Sequence, residues 1–310
     1  MAFTGRALKR VLGGFTMNFR KAAVGLVLSC FAFQVTAGES TLPTAIRSTI
    51  EASVTQDTAS GVFSYSYRVV NPPTSTGQIR FVTVDVSLPS GGETLGSDGL
   101  VNGPRIDRQA YYERLVKVQT VPLALSAPNR WIGARTMYGE ASWGSSGPET
   151  RILPGTSLSG FQIRSHGVPT LRTAKLEPFY PYAREEWSKT VIGEYETRAQ
   201  AEAVAHVATI GPTAPPKVFV PANYVNEIIR LKEQARSLGW IKNDGLLRSF
   251  DAELDAARKA LVRGQVKAAC NELYAFLNEL EAKHTKGVSQ EAYALLRFNV
   301  EFLLKKINSK

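Results

Sequence analysis

Cysteine and histidine are scarce: the 310-residue chain has two cysteines and three histidines. A disulfide-stapled scaffold needs several cysteines, and a structural zinc site needs cysteine or histidine pairs at ligand spacing. His166, His206 and His284 lie in different stretches and supply no such spacing. Long apolar runs are also missing. The longest, over residues 22–33, falls well short of the ~20 residues that cross a bilayer as a helix. There is no G-x-S-x-G elbow, no Walker lysine after Gly91-Gly92, and no EF-hand ligand spacing over 96–107. Ser165-His166-Gly167 reads as a surface turn. No metal, cofactor or catalytic set is therefore expected.

The N-terminus reads as a targeting segment. Arg20 and Lys21 precede the short apolar run, and Val35-Thr36-Ala37 places small residues where signal peptidase reads. The pattern predicts a signal peptide over 1–37, cut after Ala37, with Met17 a conventional start and 1–16 an upstream extension. Two alternatives are an N-terminal membrane anchor and lipidation at Cys30, although Leu28 and Ser29 fit a lipobox poorly. Export to the periplasm or the medium is the expected localisation, with no integral span in the mature chain. Loss of Arg6, Lys9, Arg10, Arg20 and Lys21, and of no acid, lowers the formal net charge from +10 to +5. The remaining basic residues are interspersed with acids, as on solvated faces, so no nucleic-acid partner is expected. Cys270 is the one cysteine left. It lies on an apolar helix stripe and reads as a small buried hydrophobe.

Residues 38–185 read as an antiparallel β-sandwich. Over 62–71, Phe63, Tyr65, Tyr67 and Val69 alternate with Ser64, Ser66 and Arg68 until Asn71-Pro72-Pro73 ends the run. A second strand runs from Ile79 to Ser87, with Val82, Val84 and Val86 on one side. Further strands are expected over 115–121, 130–134, 142–144 and 160–165. The segment 151–161 resembles one seen in exported bacterial β-sandwich proteins of unknown function. Residues 186–220 read as a partly helical, proline-rich linker. Gly211-Pro212-Thr213-Ala214-Pro215-Pro216 marks the boundary between two separately folding units.

From 221 to 310 the period changes to that of helices. Tyr224, Ile228, Leu231, Ala235 and Leu238 share a face, with Asn223 the expected N-cap and Gly239 the stop. A second stripe runs Leu246, Phe250, Leu254, Ala257, Leu261 and stops at Gly264. A third runs Val266, Ala269, Cys270, Leu273, Phe276, Leu277 and Leu280. After Gly287 and the N-cap Ser289, a fourth carries Ala292, Leu295, Leu296, Asn299, Phe302 and Leu303. Four such helices bury their stripes by forming a small bundle. The run Leu238-Gly239-Trp240-Ile241-Lys242-Asn243-Asp244-Gly245-Leu246-Leu247, then Ser249, Leu254, Ala257, Leu261 and Gly264, leads into Ala268-Ala269-Cys270-Asn271-Glu272-Leu273-Tyr274-Ala275-Phe276-Leu277-Asn278. Together these resemble the FIMAH domain, a helical module at the C-terminal ends of exported bacterial proteins. Phe250 and Leu277 are mild departures from its pattern. The resemblance implies an exported, accessory module and carries no catalytic residue onto this chain.

One candidate ligand site emerges. Trp131, Tyr138 and Trp143 lie close together in a Gly- and Ser-rich stretch, and aromatic rings on a β-surface stack on sugars or anchor proteins. The competing reading places the tryptophans in the sandwich core. The chain thus reads as a non-catalytic exported protein whose sandwich recognises or scaffolds an envelope or extracellular protein or glycan. Alternatives are a carbohydrate-binding protein using those aromatics and an extracytoplasmic hydrolase.

Overall fold

Alternation decides the strands. In β2 (Phe63–Asn71) every second residue, Phe63 to Asn71, is buried, while Ser64, Ser66, Arg68 and Val70 face outward. The computed structural model describes residues 46–86, 124–135, 140–178, 204–284 and 286–309, with the backbone of 94–95 and 101–102. Two antiparallel sheets result. The first has the order β1-β2-β9-β6, from β1 (Thr49–Gln56), β9 (Thr156–Ser165) and β6 (Ala124–Ser126). The second has the order β11-β10-β3-β8-β7, from β3 (Ile79–Asp85), β7 (Trp131–Arg135), β8 (Glu140–Ser145), β10 (Val168–Pro178) and β11 (Ala205–Thr213). Among the described residues, the short strands β4 (Thr94–Leu95) and β5 (Val101–Asn102) are hydrogen-bonded only to each other.

The sheets face each other across an aromatic core. Tyr65 and Tyr67 cross it from β2: Tyr65 Oη donates to the Gly167 carbonyl at 2.6 Å, and Tyr67 Oη to the Ile210 carbonyl at 3.0 Å. Both phenols are fully enclosed, and burial drives their pKa values well above the ordinary range. The turn at 165–167 carries the chain from one sheet to the other. It is not a surface turn throughout, because Ser165 is buried and its hydroxyl accepts from Gly167 N at 3.1 Å.

The helices are α1 (Pro221–Ser237), α2 (Asp244–Val262), α3 (Val266–Lys283) and α4 (Gln290–Asn308). The glycine stops hold: Gly239 and Gly264 take φ values of 70° and 71°, which side chains disfavour. Asn243 and Ser289 cap α2 and α4, accepting from Leu246 N at 3.0 Å and Ala292 N at 3.2 Å. The start of α1 differs from expectation. Val220 is its N-cap and makes no side-chain bond, so Pro221 at the first position sets the helical φ in place of Asn223.

The expected linker at 186–220 needs correcting where it is described. Residues 205–213 form the edge strand β11, in register with β10 so that Pro212 lies opposite Pro169. Prolines are tolerated there because an edge strand has one side free of ladder bonds. Residues 179–203 lie outside the described residues, as do the strand expected at 115–121 and the whole of 1–45.

The described residues belong to one compact unit. Helix α4 packs on the margin of the sandwich where β1 ends one sheet and β10 and β11 end the other. Phe298 meets Phe63 edge-on, with ring centroids 5.3 Å apart. Asn299, 2% exposed, donates to the carbonyls of Pro169 at 2.8 Å and Leu295 at 2.7 Å, and accepts from Tyr224 Oη at 2.6 Å. At the sheet's edge, Glu291 Oε1 accepts from Ala52 N at 2.9 Å. An exposed edge N–H invites pairing with another chain, and the helix closes this one.

Candidate functional site

The aromatic platform expected from Trp131, Tyr138 and Trp143 is not what the described residues form. Trp143 is completely buried and Trp131 is 6% exposed. Both indoles stand edge-on to Phe161, at 5.7 and 5.0 Å. Their N–H groups are spent internally: Trp143 Nε1 donates to the Ser126 carbonyl at 2.8 Å and Trp131 Nε1 to the Thr150 carbonyl at 2.9 Å. Buried indoles with satisfied N–H groups are core residues with no face left for a ligand. Tyr138 lies outside the described residues. Trp143 does reach toward a different surface, since its bond holds Ser126 and with it the edge strand β6.

That surface is the outer face of the β1-β2-β9-β6 sheet. A shallow groove of about 560 Å³ runs over it, floored by Ser53, Ser66, Gln162 and Ser126, flanked by Glu51, Arg68 and Ser159, and walled by Gln290 and Glu291 from the first turn of α4. The inward partners of these positions are Ala52, Val54, Tyr65, Tyr67, Phe161 and Ile163, all buried. Alternation therefore forces the polar set outward.

A β-bulge shapes the floor. Register between β2 and β9 slips after Tyr67, so Arg68 pairs with Ser159 and Gly160 is the extra residue. Gly160 has φ 104°, a conformation that side chains rarely adopt, and it lies against Pro128.

The groove's charges are largely engaged within the protein. Arg68 Nη1 donates to Glu51 Oε2 at 2.8 Å and its Nη2 to Ser157 Oγ at 2.9 Å. Glu291 is held by Ala52 N. Gln162 Nε2 donates to Ser66 Oγ at 3.2 Å. The polar groups left over are neutral hydroxyls and amides, from Ser53, Ser66, Ser126, Ser159 and Gln162.

The histidines stay apart. His166 and His206 are exposed, and His284 stacks on Tyr293 with Nε2 at 2.7 Å from Gln290 Oε1. Among the described residues no three His, Cys, Asp or Glu side chains come together as a metal site, and no helix is long and apolar enough to cross a membrane. Cys270 is 8% exposed, with Sγ 3.5 Å from Asn308 Oδ1, and burial raises its thiol pKa.

None of the groove residues stood out in the sequence. Serines alternating with aromatics in β2 mark a solvated face, and only register shows which of them line up.

The architecture is thus a two-sheet antiparallel sandwich joined to a four-helix unit. Residues 225–305 match the family model of the FIMAH domain. No curated protein matches the chain. Among solved structures, the chain is similar to an uncharacterized protein from Nocardia farcinica described as having an immunoglobulin-like fold. The match has 10% identity and a TM-score of 0.26, and covers 55% of this chain and all of the other.

Proposed function

We propose that this is a non-catalytic, exported binding protein. Its sandwich recognises an envelope or extracellular component through the groove on the β1-β2-β9-β6 face, and its FIMAH-like helices serve as an accessory unit built into that site. The observation that carries this reading is the dual role of the first turn of α4. Glu291 seals the edge of β1 while Gln290 and Glu291 wall the groove, so the helical region and the sandwich present one surface. Export is supported by the basic–apolar–small pattern ahead of Gly38.

The test is co-sedimentation with isolated bacterial envelopes. Wild-type protein binds, and Ser66→Arg, which fills the groove with a long side chain, lowers the bound fraction without lowering Tm by more than a few degrees. Equal sedimentation of both proteins, or turnover of an ester, peptide or glycoside panel, would reject the reading. N-terminal sequencing of the exported protein should begin at Gly38.

A further inference from the structure

The floor of the groove has an order that follows from strand register. Ser53 of β1 pairs with Ser66 of β2, Ser66 with Gln162 of β9, and Gln162 with Ser126 of β6. These four residues form one row that crosses every strand of the sheet. With neighbouring strands ~4.8 Å apart, the row is roughly 14 Å long. Each member is a short hydroxyl or a planar amide. The hydroxyls of Ser53 and Ser126 make no hydrogen bond among the described residues, and Gln162 uses one amide hydrogen on Ser66. At one end the row meets Gln290 in the first turn of α4, and at the other it stops at Ser126, pinned by Trp143.

We propose that this row is a track for an extended, uncharged glycan strand lying across the β-strands with one end against α4. The inference rests on the recognition reading above and names its ligand class. Three features of the groove select this class.

A polyhydroxylated chain exchanges hydrogen bonds in kind with hydroxyls and amides, each of which can donate and accept. A polyanion would want free cations, but Arg68 is already committed to Glu51 and Ser157. A peptide would want a free sheet edge or apolar side-chain pockets. The neighbouring edge N–H of Ala52 is taken by Glu291, and the row itself presents hydroxyls and an amide, not apolar side-chain pockets.

Serine hydroxyls are also ordered at little entropic cost. An extended polysaccharide advances per sugar by a step similar to the strand spacing, so successive units meet successive strands. No aromatic ring stacks on the sugars, so affinity accumulates with chain length.

The experiment is calorimetric titration of the mature protein with β-1,4-linked glucose and N-acetylglucosamine oligomers, from dimer to hexamer. The expected result is affinity that rises about tenfold or more from dimer to tetramer and then levels off, as the row is filled. Gln162→Ala should weaken tetramer binding by about tenfold, the value of one to two neutral hydrogen bonds, and Ser66→Arg should abolish it. Ser64→Arg, on the same face but outside the row, should leave it unchanged.

Oligomer binding that survives Ser66→Arg would overturn the inference. So would the absence of oligomer binding in a protein that still sediments with envelopes in a Ser66-dependent way, or Ser66-dependent capture of an extended polypeptide instead. Those last two outcomes leave the recognition reading standing. Envelope binding indifferent to Ser66→Arg removes both.

Discussion

The side-chain amide of Asn299, in the last helix, donates to the main-chain carbonyl of Pro169, in β10, across 2.8 Å. The same side chain accepts from Tyr224 Oη and donates to the Leu295 carbonyl, so one buried amide joins two helices and a strand with both its N–H groups and its oxygen engaged. Buried polar groups of this kind specify a unique packing when fully satisfied and are costly when they are not. Asn299→Leu keeps the branched shape but strands the Pro169 carbonyl and the Tyr224 hydroxyl. Denaturant titration should show a loss of about 2–4 kcal/mol.

The two described tryptophans should behave as core. Trp143→Ala and Trp131→Ala should each destabilise the protein by roughly 3–5 kcal/mol in thermal or chemical unfolding. Trp143→Ala should also loosen β6, because it removes the bond to the Ser126 carbonyl. A variant with unchanged Tm would restore a surface role for that ring.

Glu253, on α2, lies near Glu272 and Glu279 of α3. Burial, and then repulsion from Glu279 and Glu272, raise its pKa to about 7 from the ordinary 4.5. The folded state therefore holds a proton that the unfolded chain releases. The sign follows: stability is greatest below about pH 4.5 as far as this group is concerned, and it falls as pH rises toward about 7. Glu253→Gln should raise the denaturant midpoint at neutral pH and flatten its pH dependence between about pH 5 and 7. An unchanged slope would mean that Glu253 ionises freely.

The segment between β11 and α1 is open, with Val218 81% exposed. Trypsin should cut after Lys217. The two pieces should nonetheless stay together in gel filtration, because Phe63–Phe298, Asn299–Pro169 and Glu291–Ala52 all bridge the cut. Separation of the fragments under native conditions would show that these contacts do not hold the parts together.

Much of the fold was legible because local rules set it. The alternation in Phe63–Asn71, the valines of β3, the stops at Gly239 and Gly264, and the cap Ser289 are each decided by a few neighbouring residues. The misses have a common cause. Ala205–Thr213 looked like linker because Gly211-Pro212 breaks most secondary structure, and only its position at a sheet edge permits the proline. The aromatic segment suggested a surface because spacing does not tell which way an indole points; Phe161 and the Ser126 carbonyl, distant in sequence, turn Trp143 inward. The row from Ser53 to Ser126 exists only once four strands are in register, and its wall comes from a helix more than a hundred residues beyond Ser126. Local pattern finds elements, whereas a site assembled across strands and a distant helix depends on tertiary pairing.

If α4 is a wall of the sandwich's site and not part of a separate tail, helices and sheets must unfold together. The direct measurement is denaturant unfolding of a Trp187→Phe, Trp240→Phe protein, followed at once by helical circular dichroism and by the fluorescence of Trp131 and Trp143. Coincident midpoints and slopes are expected, as for one cooperative unit. Loss of the helical signal in its own transition, with the tryptophan signal intact, would contradict the joint site.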